Sequence, residues 1–325
     1  MQSFKLSYDM PIDQLLPVNK KQKSRLKELI KLKEDLNNAK NTLDTNWNNR
    51  FAKLWAEFDP FKRERSVVQH LGNTINVSNA WLKCYEILNY YRLIPDQLVD
   101  GEFMHFDNAS FPGSFVLATH HLIKTQRSWH SQYQWYASSL IAPNKLDLDP
   151  LEDKYWLYKN YRSRWLMNEK NNGDVLTKDN QLDFYNKLHN KIDLYTSDLG
   201  FDVSSDYNNQ ELLHLPTNIG QIISGLITLK KGGCLITKQY TVFEMATVSL
   251  IYAVSQLFDE FYLCKPQTSR EANSETYLVG KGLKEPIDIT HPYIQAMIDR
   301  IQNIINPQIP IFKVDSYQKI YLSDI

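Results

Sequence analysis

Three charged side chains stand at the edges of three apolar runs. Ile192, Leu194 and Tyr195 form one run, which Asp198 follows and Gly200 breaks. Leu235 to Thr237 leads into Lys238, and Thr276 to Val279 begins directly after Glu275. Short apolar runs bounded by turn residues read as buried strands. Open α/β sheets bind ligands outside the carboxyl ends of their strands, so charges there are placed for chemistry. A single Asp or Lys at a strand end is ordinarily solvated. Three in chain order point to one polar cluster along one rim of a sheet. The alternative is a set of ordinary ion pairs, worth about 0–1 kcal/mol each.

A second feature precedes these. The run Phe103 to Phe106 reads as a strand, Asp107 to Ser114 as a tight loop, and Phe115 to Ile123 as a helix. A loop entering a helix presents backbone amides and a helix N-terminus to an anionic or nucleotide-like ligand. Gly113 is the only glycine of that loop, so it is not a G-x-G-x-x-G fingerprint.

The rest of the chain must position these groups. Residues 1–18 read as irregular. Leu29, Leu32, Leu36, Ala39 and Leu43 recur at helical spacing within a helix over Lys20 to Leu43, too short for a sustained coiled coil and expected to pack on its own domain. Trp47, Phe51, Leu54, Trp55 and Phe58 continue an apolar face to Pro60, and the basic stretch Phe61 to Ser66 reads as a solvated loop or a phosphate contact. Asn79 to Leu88 is a helix with Trp81, Tyr85 and Leu88 on its stripe and Lys83 off it. Gln134 to Ile141 is a second strand.

Residues 142–171 form an insertion rich in Tyr155, Trp156, Tyr158, Tyr161, Arg162, Arg164 and Trp165. Aromatic rings beside arginines suit single-stranded nucleic acid, but a small satellite core explains the same pattern and is preferred. Asn172 to Leu176 reads as a short strand led by Asp174, and Leu182 to Leu188 as a helix. Further helices follow over Leu212 to Leu229, Val242 to Leu257 and His291 to Ile305. Pro216 lies near the start of the first of these, where it is tolerated or kinks. Phe258 to Lys265 and Glu275 to Gly280 are the last strands, joined by a loop and therefore antiparallel. Strands alternating with helices predict a largely parallel sheet with right-handed crossovers.

Composition narrows the partners. The 325 residues carry 37 Lys and Arg against 37 Asp and Glu, so nucleic acid would have to be met by a local patch. Cys84, Cys234 and Cys264 are scattered and odd in number, which fits a reducing, cytoplasmic setting and no disulfide framework. The start is no signal peptide, and Val242 to Phe258 is too short to span a bilayer, so no membrane partner is expected. His120, His121 and His130 lack a carboxylate or cysteine at metal spacing, so no metal is expected. No Ser-His-Asp arrangement or phosphate-binding Gly-rich loop appears.

From Asn79 to Lys284 the sequence resembles the FtsJ-like RNA ribose 2′-O-methyltransferases. Lys265 to Val279 is similar to the family's lysine-proline, serine-arginine and serine-glutamate pattern before a final strand. Gly232 to Lys238 resembles its glycine turn, strand and catalytic lysine, and Thr196 to Asp198 its serine-aspartate. Ala80 to Lys83 resembles its early helical lysine, and Phe111 to Phe115 its proline-glycine-glycine cofactor loop, with Ser114 in place of the second glycine and Phe111 where a small residue is common. The end of the Gln134 strand carries no acidic residue for a cofactor ribose.

That resemblance implies an α/β fold: a Rossmann-like methyltransferase sheet, mostly parallel and seven-stranded, with an antiparallel last strand. It divides the chain into an N-terminal helical extension (1–75), a methyltransferase domain (76–285) and a C-terminal helix and tail (286–325). It implies S-adenosyl-L-methionine as cofactor, held by Pro112, Gly113, Ser114, Phe115, Asp174 and Asp198, and a catalytic set of Lys83, Asp198, Lys238 and Glu275. Gln210-Glu211 and the 142–171 insertion look more like mRNA cap enzymes, with capped mRNA as partner, methylated at the first transcribed nucleotide. Other capping-complex subunits could dock on residues 20–58. The Asn-, Lys- and Tyr-rich composition would suit a large DNA virus, hence a virion or viral factory. A lysine can take a hydroxyl proton only if its own pKa falls, which burial and a neighbouring cation such as Lys83 promote and Asp198 and Glu275 oppose. The competing reading is a catalytically silent protein of the same fold, an RNA-binding or scaffold subunit of a capping complex, for which Ser114 and Phe111 speak.

Overall fold

The computed structural model describes residues 1–6, 26–46, 61–71, 77–98, 101–140, 153–167, 171–201, 203, 206–270, 273–302 and 311. Its centre is a seven-stranded sheet of β1 (Gln2–Leu6), β2 (Phe103–Asn108), β3 (Tyr133–Ser138), β4 (Ile192–Ser197), β5 (Leu229–Gln239), β6 (Phe258–Lys265) and β7 (Thr276–Leu283), in the order β1-β6-β7-β5-β4-β2-β3. β3, β2, β4 and β5 pair in parallel. β7 enters antiparallel between β5 and β6, as its short connection requires.

Side chains leave alternate faces of each strand, which divides the core in two. Tyr195, Leu235 and Leu278 face one cluster, with Leu194, Ile236, Tyr277 and Val279 facing the other. Over the first face lie α6 (Lys178–Leu188), α7 (Gln210–Thr228), α8 (Met245–Ser255) and α9 (Pro292–Gln302). Over the second lie α3 (Asn79–Tyr91) and α4 (Ser114–Gln126), with α5 (Leu157–Asn160) beside them. α7 buries Leu215, Ile219, Ile222, Ile223 and Leu226 along one stripe and stays helical through Pro216. Two further helices, α1 (Leu26–Asn46) and α2 (Lys62–Leu71), precede the sheet's main body.

Four readings of the sequence change. Gln2–Leu6 is a strand, not irregular: β6 has an open edge, and β1 fills it antiparallel, with Phe4 opposite Leu263. The segment Asn172–Leu176 is not a strand. The side chains of Asn171, Asn172 and Asp174 accept from the amides of Gly173, Asp174 and Leu176 at 2.9, 3.1 and 2.9 Å, taking donors that a sheet ladder would need. Gly173 is there because its φ is +79° and a Cβ would sit 2.0 Å from the Ser139 carbonyl oxygen. Phe61 to Ser66 is no loop but leads into α2. Finally, the apolar seam of α1 is largely open: Leu29 is buried, but Leu32 is 55% exposed. α1 meets its own domain through polar contacts instead, with Lys33 2.7 Å from Glu244 and Lys40 donating to the Tyr207 carbonyl. The apolar face from Trp47 to Phe58 lies outside the described residues.

The insertion is two-sided. Leu157 and Trp165 are buried against Phe111 and Trp135, so the satellite core is real. Trp156 and Tyr161, however, remain 51% and 49% exposed.

Candidate active site

Four separate elements deliver Lys83, Asp198, Lys238 and Glu275 to one place at the carboxyl rim of the parallel strands. α3 is capped by Ser78, whose hydroxyl accepts from the Trp81 amide at 3.1 Å. With Trp81, Cys84, Ile87 and Leu88 buried, Lys83 leaves from the flank of this helix. Its Nζ lies 2.5 Å from Glu275 Oε1. Lys238, near the end of β5, donates to the Asp198 carbonyl at 2.9 Å and sits 3.0 Å from Asp198 Oδ1. α7 fixes that strand end, because Gln221 donates to the Lys238 carbonyl at 2.8 Å.

Tyr277 joins the two halves. It stands opposite Lys238 across the β5–β7 ladder. Its hydroxyl donates to Asp198 Oδ1 at 2.8 Å, with Glu275 Oε1 3.3 Å away. The result is a continuous chain, Lys83 to Glu275 to Tyr277 to Asp198 to Lys238, in which two cations and two anions cancel. That balance lets four charges sit with side-chain exposures of only 12, 11, 21 and 10% for Lys83, Glu275, Asp198 and Lys238. The sequence reading did not include Tyr277. Its signal was there: two residues after Glu275 on a strand, it must face the same side.

Burial pulls the Lys238 ammonium down, but Asp198, Tyr240 and Glu275 outweigh it and leave its pKa above the ordinary lysine value. Gly200 keeps the amine's surroundings open: a Cβ there would lie 2.6 Å from the Tyr240 hydroxyl and 2.9 Å from Lys238 Nζ. On the other flank, Ser269 donates to Glu275 Oε1 at 3.0 Å. Glu86, one turn beyond Lys83 on α3, accepts from the Gln267 and Thr268 amides at 2.9 and 3.0 Å and ties down the β6–β7 loop. Glu211 does not face the rim. Its buried carboxylate, pushed up by burial, accepts from the Phe243 and Glu244 amides at the start of α8.

A cavity of about 380 Å³ opens beside Asp198. Pro112, Ser114, Phe115, Asp174 and Asp198 line it. Gly113 stands behind it as the N-cap of α4, at φ 110°, where a Cβ would meet Leu157 at 2.4 Å. Ser114, where the family pattern has glycine, accepts from the Ser78 hydroxyl at 2.9 Å and lies 3.3 Å from the Tyr155 hydroxyl. Phe111 packs on Trp165 with ring centroids 5.7 Å apart. Ser139 and Leu140 line the wall beyond β3.

Beneath the cavity runs a buried hydrogen-bonded row. Thr196 donates to Asp107 at 2.6 Å, so its oxygen accepts from His105 Nε2 at 2.7 Å, and His105 Nδ1 accepts from the Tyr133 hydroxyl at 2.8 Å. Burial pushes Asp107 up to about 7 and His105 down to about 3. Among the described residues no three His, Cys, Asp or Glu side chains converge to hold a metal. His120 stacks on Tyr133, and His121 lies against Trp81. Cys84, Cys234 and Cys264 are free and buried. No described helix is long and apolar enough to cross a membrane.

The FtsJ-like methyltransferase family model matches residues 76–283. The African swine fever virus protein named "Probable methyltransferase EP424R" is 39% identical over 241 residues, covering 71% of this chain and 55% of its own. The cap-specific mRNA (nucleoside-2′-O-)-methyltransferase 2 of Danio rerio is 32% identical over 258 residues, covering 76% of this chain and 34% of its own. The chain thus spans about half and about a third of these relatives' lengths. An rRNA methylase structure from Streptococcus thermophilus aligns with 61% of this chain and 97% of its own at 15% identity and a TM-score of 0.35. With a family match that takes in both the cavity and the whole lysine–carboxylate chain, this protein belongs to the FtsJ-like methyltransferases.

Proposed function

We propose that this protein transfers a methyl group from S-adenosyl-L-methionine to a ribose 2′-hydroxyl of RNA, at the first transcribed nucleotide of capped mRNA. The observation that carries the reading is the Lys83–Glu275–Tyr277–Asp198–Lys238 chain opening onto the adjoining cavity. That cavity fits the cofactor's chemistry. Asp198 and Asp174 offer carboxylates to its cationic and hydroxyl groups, Phe115, Val175 and Leu199 give apolar walls to a purine, and the α4 N-terminus suits a carboxylate. When bound, the cofactor supplies a methyl group activated by a sulfonium.

The chain's own residues do the rest. Lys238 accepts the hydroxyl proton and holds the oxygen in line, Asp198 and Tyr277 orient Lys238, and Lys83 balances Glu275. The fall in pKa expected of a lysine base is not found, because the carboxylates keep Lys238 protonated at neutral pH; it must first lose its own proton, so the rate rises with pH into the alkaline range. In this reading residues 76–285 are the catalytic domain. Residues 1–75 and 286–325 add to it, β1 as an edge strand of its sheet and α9 as part of its core, with residues 20–58 available to other capping subunits. The cap-enzyme relatives and viral relatives support a cap substrate and a viral source.

Radiolabelled methyl transfer to short capped and uncapped RNAs tests the reading. Transfer to capped RNA alone is expected. No transfer to either removes the enzyme, and equal transfer removes the cap. Calorimetry with S-adenosyl-L-methionine separates the silent scaffold, which predicts no binding. Against that alternative, both departures from the family loop have packing roles here, Phe111 with Trp165 and Ser114 with Ser78.

A further inference from the structure

The described part of the insertion, Asp153 to Met167, has a surface pattern that its satellite core uses only in part, through Arg162, which donates to the Trp165 and Met167 carbonyls at 3.4 and 2.8 Å. Its aliphatic side chains Leu157, Leu166 and Met167 are buried. Its only acidic side chain, Asp153, is also buried, and its carboxylate accepts from the Tyr158 and Lys159 amides at 3.2 and 2.9 Å. What remains outside is aromatic and cationic, apart from Asn160 and Ser163. Trp156 is 51% and Tyr161 49% exposed, and Lys154, Lys159 and Arg162 are exposed around them. Lys159 Nζ lies 4.8 Å from the Trp156 ring centre, and the Arg162 guanidinium 4.6 Å from that of Tyr158.

Trp156 is held outward at a cost. Its φ is +58°, a left-handed conformation that is unfavourable for a bulky side chain. Its amide donates to the Asp153 carbonyl at 2.9 Å, so the same residue that gives up its carboxylate to the helix start also sets the tryptophan's place. The segment is tied to the cavity: the Tyr155 hydroxyl reaches Ser114 at 3.3 Å, and Leu157 packs over Gly113. An exposed ring of this kind is therefore in a fixed position relative to the reaction centre.

We propose that Trp156 and Tyr161, with Lys154, Lys159 and Arg162, form a stacking platform for single-stranded RNA outside the reacting nucleotide. Nucleobases stack on the two rings and backbone phosphates meet the cations. A chain with equal numbers of acidic and basic residues needs such a local patch to hold RNA. Exposed Trp, Tyr and Arg also occur in protein interfaces, so the lysines and the RNA substrate favour nucleic acid here and a protein partner is the outcome that the test must separate. The choice of ligand rests on the reading of RNA as substrate.

Fluorescence anisotropy of a labelled single-stranded oligoadenylate tests it with the full chain. Removing a stacking ring costs about 1–3 kcal/mol per base, so Trp156→Ala and Tyr161→Ala should each weaken binding about 5- to 150-fold. Trp156→Phe should keep most of the affinity, and Lys159→Gln should flatten the salt dependence by about one phosphate contact. Circular dichroism and calorimetry with S-adenosyl-L-methionine should be unchanged in all of them. Unaltered RNA affinity in the Trp156→Ala, Tyr161→Ala double variant overturns the platform and leaves the surface to a protein partner. A wild type that binds no single-stranded RNA overturns both the platform and the RNA substrate. RNA held through these rings without any methyl transfer keeps the platform and sinks the enzyme.

Discussion

Two polar clusters lie close together at the carboxyl end of the sheet, and they handle charge in opposite ways. At the rim, Lys83, Glu275, Asp198 and Lys238 pair off, and the pairing holds Lys238 charged despite its burial. Below the cavity, His105 and Asp107 are separated by Thr196 and have no partner of opposite charge in the row, so burial drives both toward their neutral forms. The row is also the more deeply buried, with His105 and Asp107 at 0 and 1% exposure against 10–21% for the rim side chains, and the lack of an opposite charge adds to that difference. A buried charge survives where an opposite charge is within hydrogen-bond reach and is suppressed where only dipoles are. One region thereby stays charged, and the other stays neutral beneath the cavity.

The strongest way to break this comparison is at Lys238. Lys238→Met keeps the length and the apolar stem but removes the amine. Single-turnover methyl transfer should fall about 10²- to 10⁴-fold, while calorimetric binding of S-adenosyl-L-methionine stays near wild type. Lys238→Arg should fail as well, because a guanidinium cannot accept the proton. A Lys238→Met protein that keeps more than about a tenth of the rate would mean that another group takes the proton.

A smaller effect is expected at Tyr277, where the comparison can be sharpened. Tyr277→Phe removes the hydroxyl that donates to Asp198 at 2.8 Å. A hydrogen bond to a charged group is worth about 1.5–3 kcal/mol, so the rate should drop about 10- to 150-fold. Without that donor the Asp198 charge acts more fully on the Lys238 ammonium, so the alkaline limb of the pH–rate profile should move to higher pH. A profile that falls in amplitude without moving would leave Tyr277 a packing residue only.

The smallest effects belong to the neutral row and are read as slopes of stability against pH. Asp107 moves from 3.8 to about 7 on folding. Between those values the native state keeps a proton that the unfolded chain releases, so this contribution falls as pH rises. His105 moves from 6.5 to about 3. Between those values the unfolded chain binds a proton that the native state refuses, so this contribution grows as pH rises. In the wild type the two oppose each other across nearly the same window. Asp107→Asn should therefore unmask a stability that rises from about pH 3 to 6.5, and His105→Gln one that falls from about pH 4 to 7. Urea melts across that range check this, and slopes of the same sign in both variants would break the contrast.

Much of the rim was legible in the chain. Asp198, Lys238 and Glu275 each border an apolar run, and in a sheet that placement leaves little choice about which edge they occupy. The antiparallel β7 followed from a loop too short to cross over. Lys83 was legible only through the family likeness, since nothing in its helix says that its amine will meet Glu275, 192 positions later in the chain. Tyr277 was missed because a tyrosine inside an apolar strand reads as core, which it also is. Asn172–Leu176 was misread because its apolar residues suggest a strand, while neighbouring Asn and Asp side chains had already claimed the amides.

What the sequence by itself determined is what depends on neighbours along the chain: strand and helix periodicity, the turn at Gly200, the order of the charged residues and the family they resemble. What only the tertiary structure decided depends on distance through space. It put β1 on the open edge of β6, turned Glu211 inward, exposed Trp156 and let Tyr277 link two carboxylates. Above all it set the protonation states. A pKa is fixed by the desolvation and the opposite charges around a group, and for Lys238, Asp107 and His105 those surroundings come from elements far apart in the chain and adjacent only after folding.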